Sequence, residues 1–324
     1  MIIQETTTLT SEHQSKLIGF LPSINHKAIA AFTRGGAMFL QDPTTLETKV
    51  AYSLFSDCIK AVAPYGDNFL FITEDSQMMV FDTKTNEVVD YTSRAAYSMT
   101  ALALCENALL LGYADGTITS CTTDGTLQKT TRKFRGGAIR QFIELENAVI
   151  AVTDRQILML RIGSTKIKVI AESDYRCDGG AWSFAAIGDG CIYAGGTVVD
   201  PRYSRKSEDE PNFGFPFTSF KKLGKKLLPA SMPPIQLKSA QEILATKNTT
   251  CMQSTPEFLI LGFPGHLVVL DRETLRPLFE QAIPGMTPTA AFAINHTVFV
   301  GMEDGTICTY KTVSAAQADM RVAH

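Results

Sequence analysis

Five histidines (His13, His26, His266, His296 and His324) and seven cysteines (Cys58, Cys105, Cys121, Cys177, Cys191, Cys251 and Cys308) carry most of the reactive chemistry in this chain. A metal site would need several of them at ligand spacing, and no histidine stands so placed toward a Cys, Asp or Glu. All five histidines read as surface or turn residues. The cysteines are odd in number and include no CxxC pair, and most lie in apolar, strand-like runs where a thiol acts as a small hydrophobe. That usage points to a reducing compartment. The GxSxG, GxGxxG and GxxxxGK patterns are missing, so nucleophile-elbow, dinucleotide and P-loop chemistry lack support. No catalytic residue, metal or cofactor is expected.

Binding chemistry is richer, and it concentrates in residues 199–235. A polar stretch from Asp200 to Pro211 leads into Phe213, Phe215, Phe217 and Phe220. Lys221, Lys222, Lys225 and Lys226 follow, with Leu223, Leu227 and Leu228 between them. Aromatic anchors beside lysines would make a lip for an acidic peptide. Four lysines with interleaved leucines also reach the low end of what binds an anionic membrane. The plainer reading packs the phenylalanines against their own sheet and leaves the lysines in water.

These residues need elements to hold them, and turn spacing supplies those elements. Gly35-Gly36, Asp75-Ser76, Asp115-Gly116, Asp154-Arg155, Gly195-Gly196, Pro264-Gly265 and Asp304-Gly305 recur at steps of 40, 40, 39, 41, 69 and 40. A second series runs in register six to ten residues earlier, at Asn25-His26, Asp67-Asn68, Glu106-Asn107, Glu146-Asn147, Asp189-Gly190, Pro256-Glu257 and Asn295-His296. Between the two series lie apolar runs such as 69–73, 108–112, 148–152, 258–262 and 297–301, as expected of strands covered on both faces. More alternating strands and polar outer strands follow each turn. This spacing predicts an all-β, seven-bladed β-propeller with four-stranded antiparallel blades. The blades fall near 17–55, 58–94, 98–135, 138–174, 180–246, 249–283 and 286–313. The single domain is thus 1–313, with an insertion at 199–235 in blade five and a tail at 314–324. The last blade lacks an outer strand, and the Thr-rich segment 2–9 is expected to supply it and close the ring.

The units resemble WD repeats: residues 115–121 and 304–310 match that repeat's turn and third strand, and Phe81-Asp82 and Leu270-Asp271 stand where its Trp-Asp pair would fall. No repeat opens with Gly-His, and the one tryptophan, Trp182, lies in a different strand, so buried apolar strands must carry more of the stability. Elongation of blade five, with a run from Asn212 to Lys222, is similar to the mitotic-checkpoint and mRNA-export propellers. That resemblance implies a grip on a short segment of a kinetochore kinase or nucleoporin. Lys133-Phe134-Arg135-Gly136-Gly137 resembles the Phe-Arg-Arg-Gly motif of phosphoinositide-binding propellers, but Arg135 and Arg140 read rather as solvated charges of a blade-joining loop.

Charge and composition narrow the partners. The net charge is −3 and the pI about 6.0, with 45% apolar residues, which allows a large core and gives no basic excess for direct nucleic-acid binding. Neither a secretory signal nor an apolar span is visible, so cytoplasmic or nuclear residence is expected. The function read from these features is a non-enzymatic scaffold that binds a partner's peptide motif on one face. The contacts would be Arg34, Glu74, Asp115, Arg155 and Glu303 at the turns, with Phe213, Phe215, Phe217, Phe220, Lys221 and Lys222 as the lip. A membrane-binding propeller and a propeller enzyme with a central-channel site are the alternatives.

Overall fold

A computed structural model describes residues 2–7, 15–22, 28–42, 45, 47–53, 58–92, 98–105, 108–122, 130–163, 166–173, 181–188, 191–197, 217–230, 235–246, 248–294 and 297–312. The fold is all-β and propeller-like. After β1 (Ile2–Thr7), the strands β2 (Leu17–Pro22), β3 (Ile29–Thr33), β4 (Ala37–Gln41) and β5 (Thr48–Ser53) form a four-stranded antiparallel sheet in chain order. The same unit recurs as β6 (Ile59–Tyr65), β7 (Asn68–Thr73), β8 (Met78–Asp82) and β9 (Glu87–Thr92). The third unit is β10 (Met99–Cys105), β11 (Ala108–Tyr113), β12 (Thr117–Thr122) and β13 (Thr130–Lys133). The fourth is β14 (Ile139–Leu145), β15 (Ala148–Thr153), β16 (Ile157–Ile162) and β17 (Ile167–Ser173). The fifth is β18 (Ala181–Gly188), β19 (Cys191–Thr197), β20 (Phe217–Leu223) and β21 (Lys226–Ala230). A short helix, α1 (Ala240–Thr246), precedes the sixth: β22 (Cys251–Ser254), β23 (Phe258–Phe263), β24 (His266–Asp271) and β25 (Pro277–Ala282). The last contains β26 (Pro288–Ile294), β27 (Thr297–Met302) and β28 (Ile307–Thr312).

The expected borrowing from the other chain end is present. β1 lies antiparallel to β28, with Ile2 opposite Thr312 and Thr7 opposite Ile307, so the last sheet reads β1-β28-β27-β26. A parallel bridge between β17 and β21 pairs Glu172 with Lys226 and Ser173 with Leu227, joining the fourth and fifth units into one eight-stranded sheet.

Second strands are predominantly apolar because both of their faces are covered; β27 is buried at all six positions. The core divides into seven clusters, each shared by two consecutive units. One of them joins the last unit to the first, through Leu17, Phe20 and Phe39 on one side and Ala290, Phe299 and Ile307 on the other. The first strands also touch in chain order, and β26 touches β2. Two details tighten that last joint. The Thr289 hydroxyl donates to the Leu17 carbonyl at 2.7 Å. A Cβ placed on Gly301 would stand 2.6 Å from the Leu17 Cβ, so only glycine lets the two strands approach this closely. Thr100 and Gly112 repeat the arrangement against Ile139.

Two expectations need correction. Residues 217–230 are not insertion but the third and fourth strands of the fifth unit. The extra chain falls instead on either side of them, and the part described carries α1. This helix starts where Glu280 accepts from the N–H groups of Lys238 and Ser239, at 2.8 and 2.5 Å, and its Ile243 is buried against the sixth unit. His266 is not a surface residue: it is buried, and its Nε2 lies 2.8 Å from the Glu242 carboxylate of α1. The tail 314–324 and the other four histidines lie outside the described residues.

Gly301→Val should therefore destabilise the fold by roughly 2–3 kcal/mol through overpacking at the joint between last and first units. Urea denaturation is the measurement, and a wild-type midpoint would mean that this joint is not closely packed.

Candidate interaction face

In the first, second, third, fourth and last units the turn between second and third strands sits beside the start of the first strand. The cause is a repeated backbone bond. Arg34, Glu74, Ala114, Asp154 and Glu303 donate their N–H groups to the carbonyls of Lys16, Cys58, Ser98, Ala138 and Thr287, the residues just before their own first strands. In the sixth unit Pro264 occupies this position and has no N–H to give; Gly265 donates forward, to Met286 shortly before the first strand of the last unit. Buried threonines stiffen the same turns: the hydroxyls of Thr33, Thr73 and Thr153 accept from the N–H groups of Ala37, Gln77 and Gln156. Gly116, at φ 84, turns where a Cβ would strike the Phe134 carbonyl.

First strands contribute through a β-bulge near their start, seen in every unit but the sixth. A bulge re-aims the extra side chain. At the second and fourth units that residue is a cation, Lys60 or Arg140. The Lys60 ammonium donates to the Glu74 carbonyl at 2.8 Å and to the Ser98 hydroxyl at 3.1 Å, and lies 3.5 Å from the Glu74 carboxylate. Arg34 reaches the same carboxylate at 3.7 Å. Arg140 holds Asp154 at 2.5 Å, and Lys133 holds Asp115 at 2.9 Å. The Lys133 hydrogen bond, with the Thr117 N–H, keeps the Asp115 carboxyl below its ordinary range.

The five turn residues expected from sequence thus lie at one end of their sheets, and Arg34 and Glu74 are brought together. Arg155 and Glu303 are exposed there. Sequence reasoning missed Lys60, and it assigned Arg140 to a solvated loop. Both follow a buried isoleucine, exactly 80 residues apart with Thr100 midway, which was the available signal.

The lip does not assemble as expected. Phe220 is fully buried between the fourth and fifth units, packed with Ile192 and Leu227, so it cannot meet a partner. Phe213 and Phe215 lie outside the described residues, and of Phe217 only the backbone is described, opposite Gly195. Lys221 and Lys222 are exposed, but they approach the turn between third and fourth strands, at the opposite end of the sheet from Arg34 and Glu74. Phe134 is buried under the Arg132 guanidinium, and the Gly136 carbonyl accepts from Arg155, so the Phe-Arg-Gly-Gly run serves as a joint between units. Asp82 and Asp271 cap the turns that follow them: Asp82 accepts from Lys84 at 2.8 Å and Asp271 from Thr274 at 2.7 Å.

Half-exposed ion pairs such as Arg34–Glu74 contribute about 0–1 kcal/mol each, so an incoming charge can exchange with them at little cost. The Cys251 thiol, pushed up to about 12 by burial, is no nucleophile. Among the described residues, no group of His, Cys, Asp and Glu is placed to hold a metal ion.

No protein-family model matches this chain, and no curated protein matches it in sequence. Among solved structures it is similar to the crystal structure of the computationally designed Ika8 protein, with a TM-score of 0.70 at 14% identity, over 95% of this chain and 100% of that one. At that identity the likeness is one of fold alone.

Because the folded Asp115 carboxyl titrates below its unfolded counterpart, its bond to Lys133 contributes stability above about pH 4 and loses it as the pH falls through the folded value. Lys133→Met should flatten that acid limb. Urea midpoints across the acid range measure it, and parallel limbs in the two proteins would contradict this role for Lys133.

Proposed function

We propose that the chain is a closed seven-bladed β-propeller of degenerate WD type that serves as a non-enzymatic platform for a partner's peptide. The cyclic order of first-strand contacts and the seven shared clusters support the ring. One observation carries the function: the charged turns and bulge residues of successive units are held at one end by a repeated backbone bond. A rigid scaffold with polar side chains on its loops is the usual form of a recognition surface.

The chemistry of the face selects its ligand. Cations at Arg34, Lys60, Lys133, Arg140 and Arg155 alternate with anions at Glu74, Asp115, Asp154 and Glu303. An extended peptide carrying charges of both signs would trade partners with these pairs, and register errors would set like charges together. Residence in the cytoplasm or nucleus, and service as a checkpoint or export adaptor, fit the sequence resemblance and form the narrower version of this proposal.

Selection of peptides from a display library against the purified chain tests the platform. Arg34→Glu combined with Arg155→Glu should weaken a selected peptide by about tenfold or more, while Lys84→Glu, in a turn at the other end of its sheet, leaves affinity unchanged. Equal loss from both changes, or none from the first, would sink the assignment of this face.

A further inference from the structure

We propose that the hairpin joining β20 to β21 is a contact point for an anionic phospholipid bilayer. Leu223 would enter the interface while Lys221, Lys222, Lys225 and Lys226 meet the headgroups. This goes beyond the peptide platform and rests on different residues, in the turn between third and fourth strands of the fifth unit.

All six residues from Lys221 to Lys226 are exposed. Leu223, at 68%, exceeds Val89, Leu278 and Met286, the other exposed large hydrophobics among the described residues. The exposure does not come from fraying. Leu223 pairs with Lys226 and Lys222 with Leu227, whose side chain is fully buried. The neighbouring unit grips the turn as well: the Glu172 N–H donates to the Lys225 carbonyl at 3.1 Å, and β17 lies parallel to the start of β21. Among the described residues Glu172 faces Lys226 across that bridge, one acid against four lysines.

Shape decides between a bilayer and a protein. The turn is made by Gly224 at φ 59, and a Cβ placed there would meet nothing within 4 Å. The tip is therefore convex. A protein partner is recognised through buried aromatic anchors in pockets, and Phe220, the nearest described aromatic, is committed to the core. A bilayer needs no pocket: it yields around an apolar tip and answers the lysines with negative charge. One leucine with four lysines gives reversible, salt-sensitive attachment, since firm anchoring takes stronger signals.

Co-sedimentation of the full chain with phosphatidylserine–phosphatidylcholine vesicles, against phosphatidylcholine alone, is the test. Binding is expected only to the anionic vesicles and to fade with salt. Lys222→Gln with Lys225→Gln should weaken it about thirtyfold, and Leu223→Ser about tenfold without altering the salt dependence. Leu223→Trp should show a blue-shifted emission on vesicles after subtraction of the Trp182 background. These positions are exposed, so unchanged thermal melts will separate loss of binding from loss of fold. Full binding by Leu223→Ser, no blue shift, equal binding to neutral vesicles, or equally tight binding to a soluble acidic peptide would each overturn the proposal.

Discussion

No sheet in this molecule can bury both of its faces alone. That constraint organises everything else. Second strands such as Phe69, Leu70, Phe71, Ile72 and Thr73 are covered on either side, so each unit needs a neighbour before it and one after it. An open row of such units would leave two apolar faces in water. The cluster uniting Leu17 with Phe299 removes that cost by giving the first unit and the last the same partner. Shared faces also explain where small residues fall. Gly112, Gly195, Gly262 and Gly301 each stand where a Cβ would collide with a residue of the following unit.

Rigidity of the face follows from the same packing. Its backbone is tied down turn by turn, while the charged groups upon it remain partly in water and weakly paired. Position is expensive to change here and pairing is cheap. Displaced proton affinities occur on the face at Asp115, lowered by its Lys133 hydrogen bond, and within the fold at Tyr310, raised by burial, and at Glu280, which burial raises but which hydrogen bonds from Ser239 and Lys238 bring lower.

Much of the fold was legible in the sequence because turns repeat at a nearly constant step, and Gly and Asp at those turns meet a backbone requirement that is local. Asp115-Gly116 and Asp304-Gly305 marked their units correctly for that reason. The long interval of 69 was misassigned, because β20 and β21 alternate weakly and four exposed lysines hide the burial of Phe220 and Leu227. Residues at bulges were missed because a bulge breaks the period of two on which strand reading depends. The pairing of His266 with Glu242 joins a strand to a helix 24 residues away, a contact that no local pattern encodes.

Pairing of Ile2–Thr7 with Ile307–Thr312 has a consequence for biogenesis. Ile2–Thr7 is made well before Ile307–Thr312 and has to wait for it. Through most of synthesis it has no companion, and the growing array has no finished edge. Completion of this sheet needs two distant parts of the polypeptide to meet like the ends of a clasp. Until they do, the nascent protein presents a ready template for pairing with another chain.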